Sequence, residues 1–341
     1  MTIKDSKSNH GKILRWIVPL LISAVAMWLV LRNIDLAEFV SNLVRIRWHT
    51  YTFASIFYFI SFGFRAFCWH ILLRRKVSYR DTFFTLGAGY LLNNIFPFRL
   101  GEIGRAVLLD DPEHTSILEV FSSVVVERIL DVFLAAVFIL SVLPRIIGGE
   151  YDQSLIVLAF SLAILGLIIL FFLAKYREAI ATWLLHWGER SSFVKNWVTP
   201  KVAHALEGFS VLTDPRAFLL AFGSLALSWG FAFGQNFIIF RDLYSNPPFW
   251  WMVFVLSAGA FGAALPSAPA GLGVFEGVVI AAFALLGVGA ELAFTHAIVI
   301  HAMVFIYSNI IGLIGLRLRG EALVAFFQRV LARAPKVKTV D

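Results

Sequence analysis

The chain has 341 residues, of which 59% are apolar and only 15% charged, with a formal net charge of +7. So few charges cannot clothe a water-soluble globule, which excludes a soluble enzyme and implies no nucleic-acid partner. The pattern is that of an all-α polytopic membrane protein, and its single cysteine, Cys68, excludes an intrachain disulfide or a cysteine-based metal centre.

In chain order, a basic tail over residues 1–12 leads into a first apolar span, Ile13 to Leu31. Ala24-Val25-Ala26 resembles a cleavage site, but the apolar run continues through Leu31, as expected of an uncleaved anchor. Further runs long enough to cross about 30 Å of hydrocarbon are Tyr51 to Leu73, Ile117 to Leu143, Leu155 to Ala174, Ala217 to Phe240 and Ala293 to Leu316. That makes six full spans. Two other apolar segments, Thr82 to Phe98 and Phe249 to Leu286, carry Pro and Gly near their middles and read as pairs of half-helices. The polar interval 175–216 mixes aromatics with bases and reads equally as helices on the membrane surface or as a solvated linker. A basic tail, residues 317–341, closes the chain.

Bases orient the spans. Twenty Lys and Arg residues precede or open the first span, follow the second, or fall in 175–216 or after Leu316, against five (Arg32, Arg45, Arg47, Arg145 and Arg241) in the other connections. The positive-inside rule then places both termini in the cytoplasm. Six crossings fit this only if each interrupted segment enters and leaves on one face. The two segments share P-x-x-L-G, as "PFRLG" (Pro97 to Gly101) and "PAGLG" (Pro269 to Gly273), at an offset at which their flanking spans also recur. The expectation is an inverted-topology repeat. Residues 13–143 form its first half, with a broken hairpin near 82–110, and residues 144–316 its second, with a broken hairpin near 249–286. Such repeats belong to transporters that alternate access around a central site.

Three motifs, "NNIFPFRLGEIGRA", "VVVERILDV" (Val124 to Val132) and "LPSAPAGLGVFEG" (Leu265 to Gly277), resemble the membrane domain of lysylphosphatidylglycerol synthase and its flippase-like relatives. The resemblance covers about Gly11 to Arg319. It implies movement of a lipid, such as an aminoacylated phospholipid, hopanoid or polyprenyl-linked sugar, in a bacterial cytoplasmic membrane. Within these 341 residues the resemblance is to the membrane domain alone, so aminoacyl transfer is not the expected activity. Ala270 stands where relatives commonly carry the first glycine of P-G-G-x-G, a change expected to tighten the turn.

The residues themselves point to anion handling. Backbone freed at Pro97, Gly101, Pro266, Pro269, Gly271 and Gly273 must be satisfied by protein or water, so these hinges are expected to line a cavity. Half-helix ends there suit a lipid phosphate, with Arg99 and Arg105 as charged donors and Asn93, Asn94, Glu102 and Glu276 as neighbouring polar groups. Glu127, Arg128 and Asp131 lie roughly 15 to 20 Å into the third span at 1.5 Å per residue. Each costs about 2.5 to 3.5 kcal/mol at such depth unless it faces a partner or water. Arg65 is the expected partner from the second span, and the cluster reads either as a substrate site or as a structural salt-bridge knot. Ser116, Glu119, Ser123, Glu127 and Asp131 share one helical face, read as a route for a headgroup or proton. His70, His296 and His301 lack ligand spacing and are expected to make helix polar contacts; no metal or other cofactor is implied. No Walker loop or G-x-S-x-G elbow occurs. The leading function is lipid translocase. The alternatives are an intramembrane lipid-phosphate transferase with Glu102, Glu127 or Asp131 as base, and a non-transporting partner of a lipid-synthesis enzyme.

Overall fold

The computed structural model describes residues 20–32, 34–96, 99–111, 115–147, scattered positions within 154–183, residue 211, and residues 213–262 and 267–333. The described residues are helical, with one isolated bridge, Asp111 to Thr115, and no β-strand.

Four helices are long and apolar enough to cross a membrane: α3 (Trp48–Leu72), α6 (Ile117–Ile147), α7 (Pro215–Leu243) and α10 (Ala290–Leu318). At 25 to 31 residues each, they run about 37 to 46 Å at 1.5 Å per residue, more than the hydrocarbon requires. They coincide with four of the six expected spans. The expected span Leu155 to Ala174 is described only at scattered helical positions, and Ile13 to Leu31 only from Leu20 onward.

That first span does not continue straight. Helix α1 (Leu20–Leu31) meets α2 (Leu36–Arg45) at 86°. Asp35 starts α2 by accepting from the N–H groups of Ala37 and Glu38 at 2.8 and 3.4 Å. Leu36, Val40 and Val44, one turn apart, are all exposed, and such a stripe suits a helix lying along a membrane surface.

The second interrupted segment is broken near its middle, as expected; in the first the helix runs unbroken through Gly87 and Gly89 to Ile95, so its break falls at the end of Thr82 to Phe98 and not near the middle. The first comprises α4 (Tyr79–Ile95) and α5 (Gly101–Leu108), with Pro97 outside the described residues. The second comprises α8 (Phe249–Gly262), a 3-10 turn (Pro269–Gly271) and α9 (Val274–Leu285), with Pro266 outside the described residues. At 17, 14 and 12 residues, α4, α8 and α9 run only about 25, 21 and 18 Å.

Helix neighbours occur in matched sets. The α3 and α7 helices pair with each other along their length; α4 packs on α10 as α8 packs on α6; α5 packs on α6 as α9 packs on α10. The α4–α10 contact is backbone on backbone, because a Cβ on Gly312 would stand 2.6 Å from the Gly87 carbonyl oxygen. Small residues let spans approach this closely where the hydrophobic effect does not drive helices together. A final amphipathic helix, α11 (Leu323–Arg333), buries Phe326 and Val330 among Leu92, Val107 and Leu108.

Candidate lipid-headgroup site

The geometry grows from the face α3 turns inward. Ala54, Tyr58, Phe62, Ala66 and Trp69 recur at helical spacing and are buried, and Arg65 projects beside them. Its guanidinium grips Asp131 of α6 through Nη1 to Oδ2 at 2.6 Å and Nη2 to Oδ1 at 2.9 Å, a two-pronged geometry suited to a carboxylate. Nη1 also reaches Glu127 Oε1 at 3.4 Å. Arg128 bridges the same two acids at 3.2 and 3.1 Å, and Trp229 Nε1–H of α7 donates to Asp131 at 3.1 Å. Arg105, from α5, completes the cluster by donating to Glu127 Oε2 at 2.5 Å. Three guanidiniums thus surround two carboxylates, leaving one net positive charge.

A cavity of about 680 Å³ lies against this cluster, between the two broken segments. Of the residues expected at the site, Arg65, Asn93, Asn94, Arg99, Glu102, Arg128, Asp131 and Gly271 line it. Arg128 is the most open member of the charge cluster, with 31% of its side chain exposed against 16% for Arg65.

Three expected contacts stand behind the wall instead, the first being Glu127, which is fully buried within the cluster. Arg105 is 2% exposed and lies 3.6 Å over the Trp69 ring, so it supports Glu127 rather than facing the cavity. Glu276 is fully buried, because as the third residue of α9 it accepts from Gly273 N–H at 2.7 Å through Oε2. The shared face of α6 is also not an open route. Glu119 pairs with Lys76, Ser123 accepts from Trp69 Nε1–H, and Ser123 and Glu127 are sealed against neighbours. That face is a packing seam, and the cavity meets α6 along Arg128, Asp131, Val132 and Ala135.

The hinges divide their roles. Gly101 donates its N–H to Asn93 Oδ1 at 2.7 Å and has no room for a Cβ, which would strike the Gly89 carbonyl oxygen. The left-handed conformation in the first break belongs to Arg99 (φ 51°), and in the second to Ala270, Gly271 and Gly273 (φ 61°, 80° and 83°). Ala270 therefore holds a conformation that glycine adopts without strain. Pro269 begins the 3-10 turn, and Gly273 packs on α1, where Ser23 Oγ accepts from Ala268 N–H at 2.7 Å.

All three histidines make polar contacts. His70 Nδ1 lies 2.9 Å from the Val77 carbonyl, His296 Nε2 lies 3.0 Å from Asn236 Oδ1, and His301 Nδ1 lies 2.5 Å from Glu276 Oε1. Among the described residues no cluster of three His, Cys, Asp or Glu forms a metal site. His301 also lines the cavity, as do Tyr58, Tyr90, Ser228, Trp229 and Gln235, none of which had been singled out for it. A signal was present: Ser224, Ser228 and Gln235 recur at helical intervals inside an apolar run.

Comparison with known proteins agrees with the motifs. The family described as the lysylphosphatidylglycerol synthase TM region matches residues 16–312. A UPF0104 membrane protein of Methanothermobacter thermautotrophicus is 28% identical over 109 residues. That stretch covers 32% of this chain and 31% of the relative. No solved structure matches the chain. With the match running from α1 through most of α10, this chain is an integral membrane protein belonging to the lysylphosphatidylglycerol synthase TM-region family.

Proposed function

We propose that the protein is a lipid translocase, whose central cavity holds the anionic headgroup of a lipid while the acyl chains remain in the bilayer. The observation that carries this reading is the net positive charge of the arginine cluster where Arg65 and Arg128 open into the cavity. Ion pairing among buried charges offsets part of the penalty of burying them. The surplus guanidinium concentrates positive charge on this side of the cavity, while the carboxylate that balances it, Glu276, lies buried behind the opposite wall. Arg128 is the natural donor, because its two acids keep Arg65, Arg105 and Trp229 when it turns away. The cavity is large enough for a polar headgroup.

The matched helix pairings support an inverted repeat with the two broken segments as its hairpins. In this reading both termini are cytoplasmic, and alternating movement of the halves exposes the cavity to each leaflet in turn. Asn93, Asn94, Arg99 and Glu102 line the side contributed by the first hairpin and Gly271 that of the second. A modified phospholipid or polyprenyl-linked sugar fits the phosphate requirement.

Purified protein in vesicles carrying fluorescent phosphatidylglycerol tests the proposal. The label is expected to change leaflet, read by impermeant quenching, while the mass of the lipid stays constant. A changed mass without leaflet exchange overturns translocation in favour of lipid chemistry, and no exchange at all overturns it outright.

A further inference from the structure

The arginines of the cluster stay protonated at every pH the protein meets, and its two carboxylates are each held by at least two of them. The opposite wall holds a different group. His301, on α10, lines the cavity and points Nδ1 at Glu276 Oε1, 2.5 Å away, while Glu276 Oε2 holds the Gly273 N–H at the hinge of the second broken segment. A carboxylate accepting at Nδ1 places the neutral ring's hydrogen there and leaves Nε2 as a lone-pair acceptor. No hydrogen bond occupies Nε2 among the described residues.

Charge complementarity gives this nitrogen a role. The charged groups lining the cavity, together with their described partners, are Arg65, Arg128 and Asp131, with Glu127 and Arg105 behind them; Arg99 and Glu102 at the first break; and His301 with Glu276. Among the described residues four guanidiniums therefore stand against four carboxylates, and the described wall is neutral while the imidazole is neutral. It becomes complementary to a single negative charge only when His301 is protonated. The other described groups around His301 bring no charge: Tyr58, Tyr90 and Gln235 line the cavity, Asn236 is tied to His296, and Phe275 packs edge-on to the imidazole, while the charges of α10 itself lie at its ends, Glu291 in the first turn and Arg317 in the last, followed by Arg319 paired with Asp81 of α4.

The geometry points to His301 as a proton-binding site that couples lipid transport to a proton gradient, one proton entering with each monoanionic headgroup. Nε2 takes a proton from water on one side, forming an N–H bond, and returns it to water on the other side when the headgroup leaves. The resulting imidazolium pairs with Glu276, whose other oxygen holds the hinge at Gly273, so that proton binding and hairpin position are linked through one carboxylate. This inference rests on the translocase reading and supplies its energy source.

The test uses the full chain in vesicles containing fluorescent phosphatidylglycerol and a trapped pH dye, with and without an imposed pH gradient. The unmodified protein is expected to accumulate label in one leaflet when the gradient is applied, with a matching dye signal. His301→Gln protein, checked for monodispersity beside His301→Asn, is expected to transfer lipid more slowly and at the same rate with or without the gradient. Leaflet exchange by the unmodified protein that ignores the gradient overturns proton coupling and leaves translocation standing. A gradient response that survives in His301→Gln, whether or not Glu102→Gln abolishes it, overturns the assignment to His301. Absence of any exchange by the unmodified protein overturns both.

Discussion

Replacing Glu127 and replacing Arg128 should have opposite consequences, although they are neighbours in one cluster. Glu127 is fully buried, and three guanidiniums reach it. Glu127→Gln leaves those arginines facing Asp131 alone, and breaking a buried pair this way costs about 3 to 5 kcal/mol. Arg128→Gln removes two contacts at 3.2 and 3.1 Å, but Asp131 keeps Arg65 and Trp229, Glu127 keeps Arg65 and Arg105, and nearly a third of the Arg128 side chain is exposed. Its cost is expected to be about 1 to 2 kcal/mol, at the lower end of charged hydrogen bonds after allowance for solvent. Removing it also cancels the cluster's net charge. Size-exclusion recovery after graded heating in detergent measures stability, and fluorescent phosphatidylglycerol binding measures function. Arg128→Gln should retain most of its folded protein and lose lipid binding, whereas Glu127→Gln should lose folded protein. Equal depletion in both would refute the division and make the cluster a purely structural knot.

Other perturbations separate related points. Combining Arg128→Gln with Asp131→Asn should recover stability in the same heating assay without restoring lipid transfer; full recovery of transfer removes this pair from substrate binding. Gly273→Val should abolish transfer in vesicles, because φ is 83° and a Cβ there meets the Ser23 carbonyl, while Gly287→Ala, at φ 76° with open space, should keep transfer and lower stability by about 1 kcal/mol. Ala270→Gly should relieve local strain and raise heat resistance by up to about 1 kcal/mol, less the entropy glycine adds to the unfolded chain. For topology, Cys68 is buried, so cysteines introduced at Gly149 and Ser245 should react with an impermeant reagent from outside and one at Ser192 should not. Labelling of Gly149 and Ser192 from the same side would dismantle the inverted arrangement.

Much of this was legible in the sequence because lipid imposes simple rules. Apolar length located α3, α6, α7 and α10, and Pro and Gly located both breaks, since backbone polar groups in hydrocarbon leave few alternatives. The pairing of Arg65 with Asp131 followed from the cost of isolated charges at depth. Arg105 was misplaced for a clear reason. Its position beside a break suggested a ligand contact, but its partners Trp69 and Glu127 are 36 and 22 residues away, beyond any local spacing rule. His301 and Gln235 were hidden differently. A single polar residue in an apolar helix reads the same whether it meets a neighbouring helix or a cavity, and only the arrangement of α3, α7, α9 and α10 decides.

The stacking of Arg105 on Trp69 bears on which parts can move. One guanidinium ties α5 to α3 through the ring and to α6 through Glu127, and the indole N–H of the same ring is anchored on Ser123 of α6. Displacing α5 would require undoing a cation–π contact and an ion pair, and α4 is held by its close glycine packing on α10, so the first broken segment is expected to stay fixed like a riveted plate. The second is fastened to its neighbours by Ser23 at one end and by the His301–Glu276 contact at the other, more like a hatch with a catch. Two halves of similar pairing would then divide the labour unequally. If the protein is the translocase proposed above, probe pairs spanning α5 and α6 should hold a constant separation while lipid is transferred, and pairs spanning α9 and α10 should change theirs.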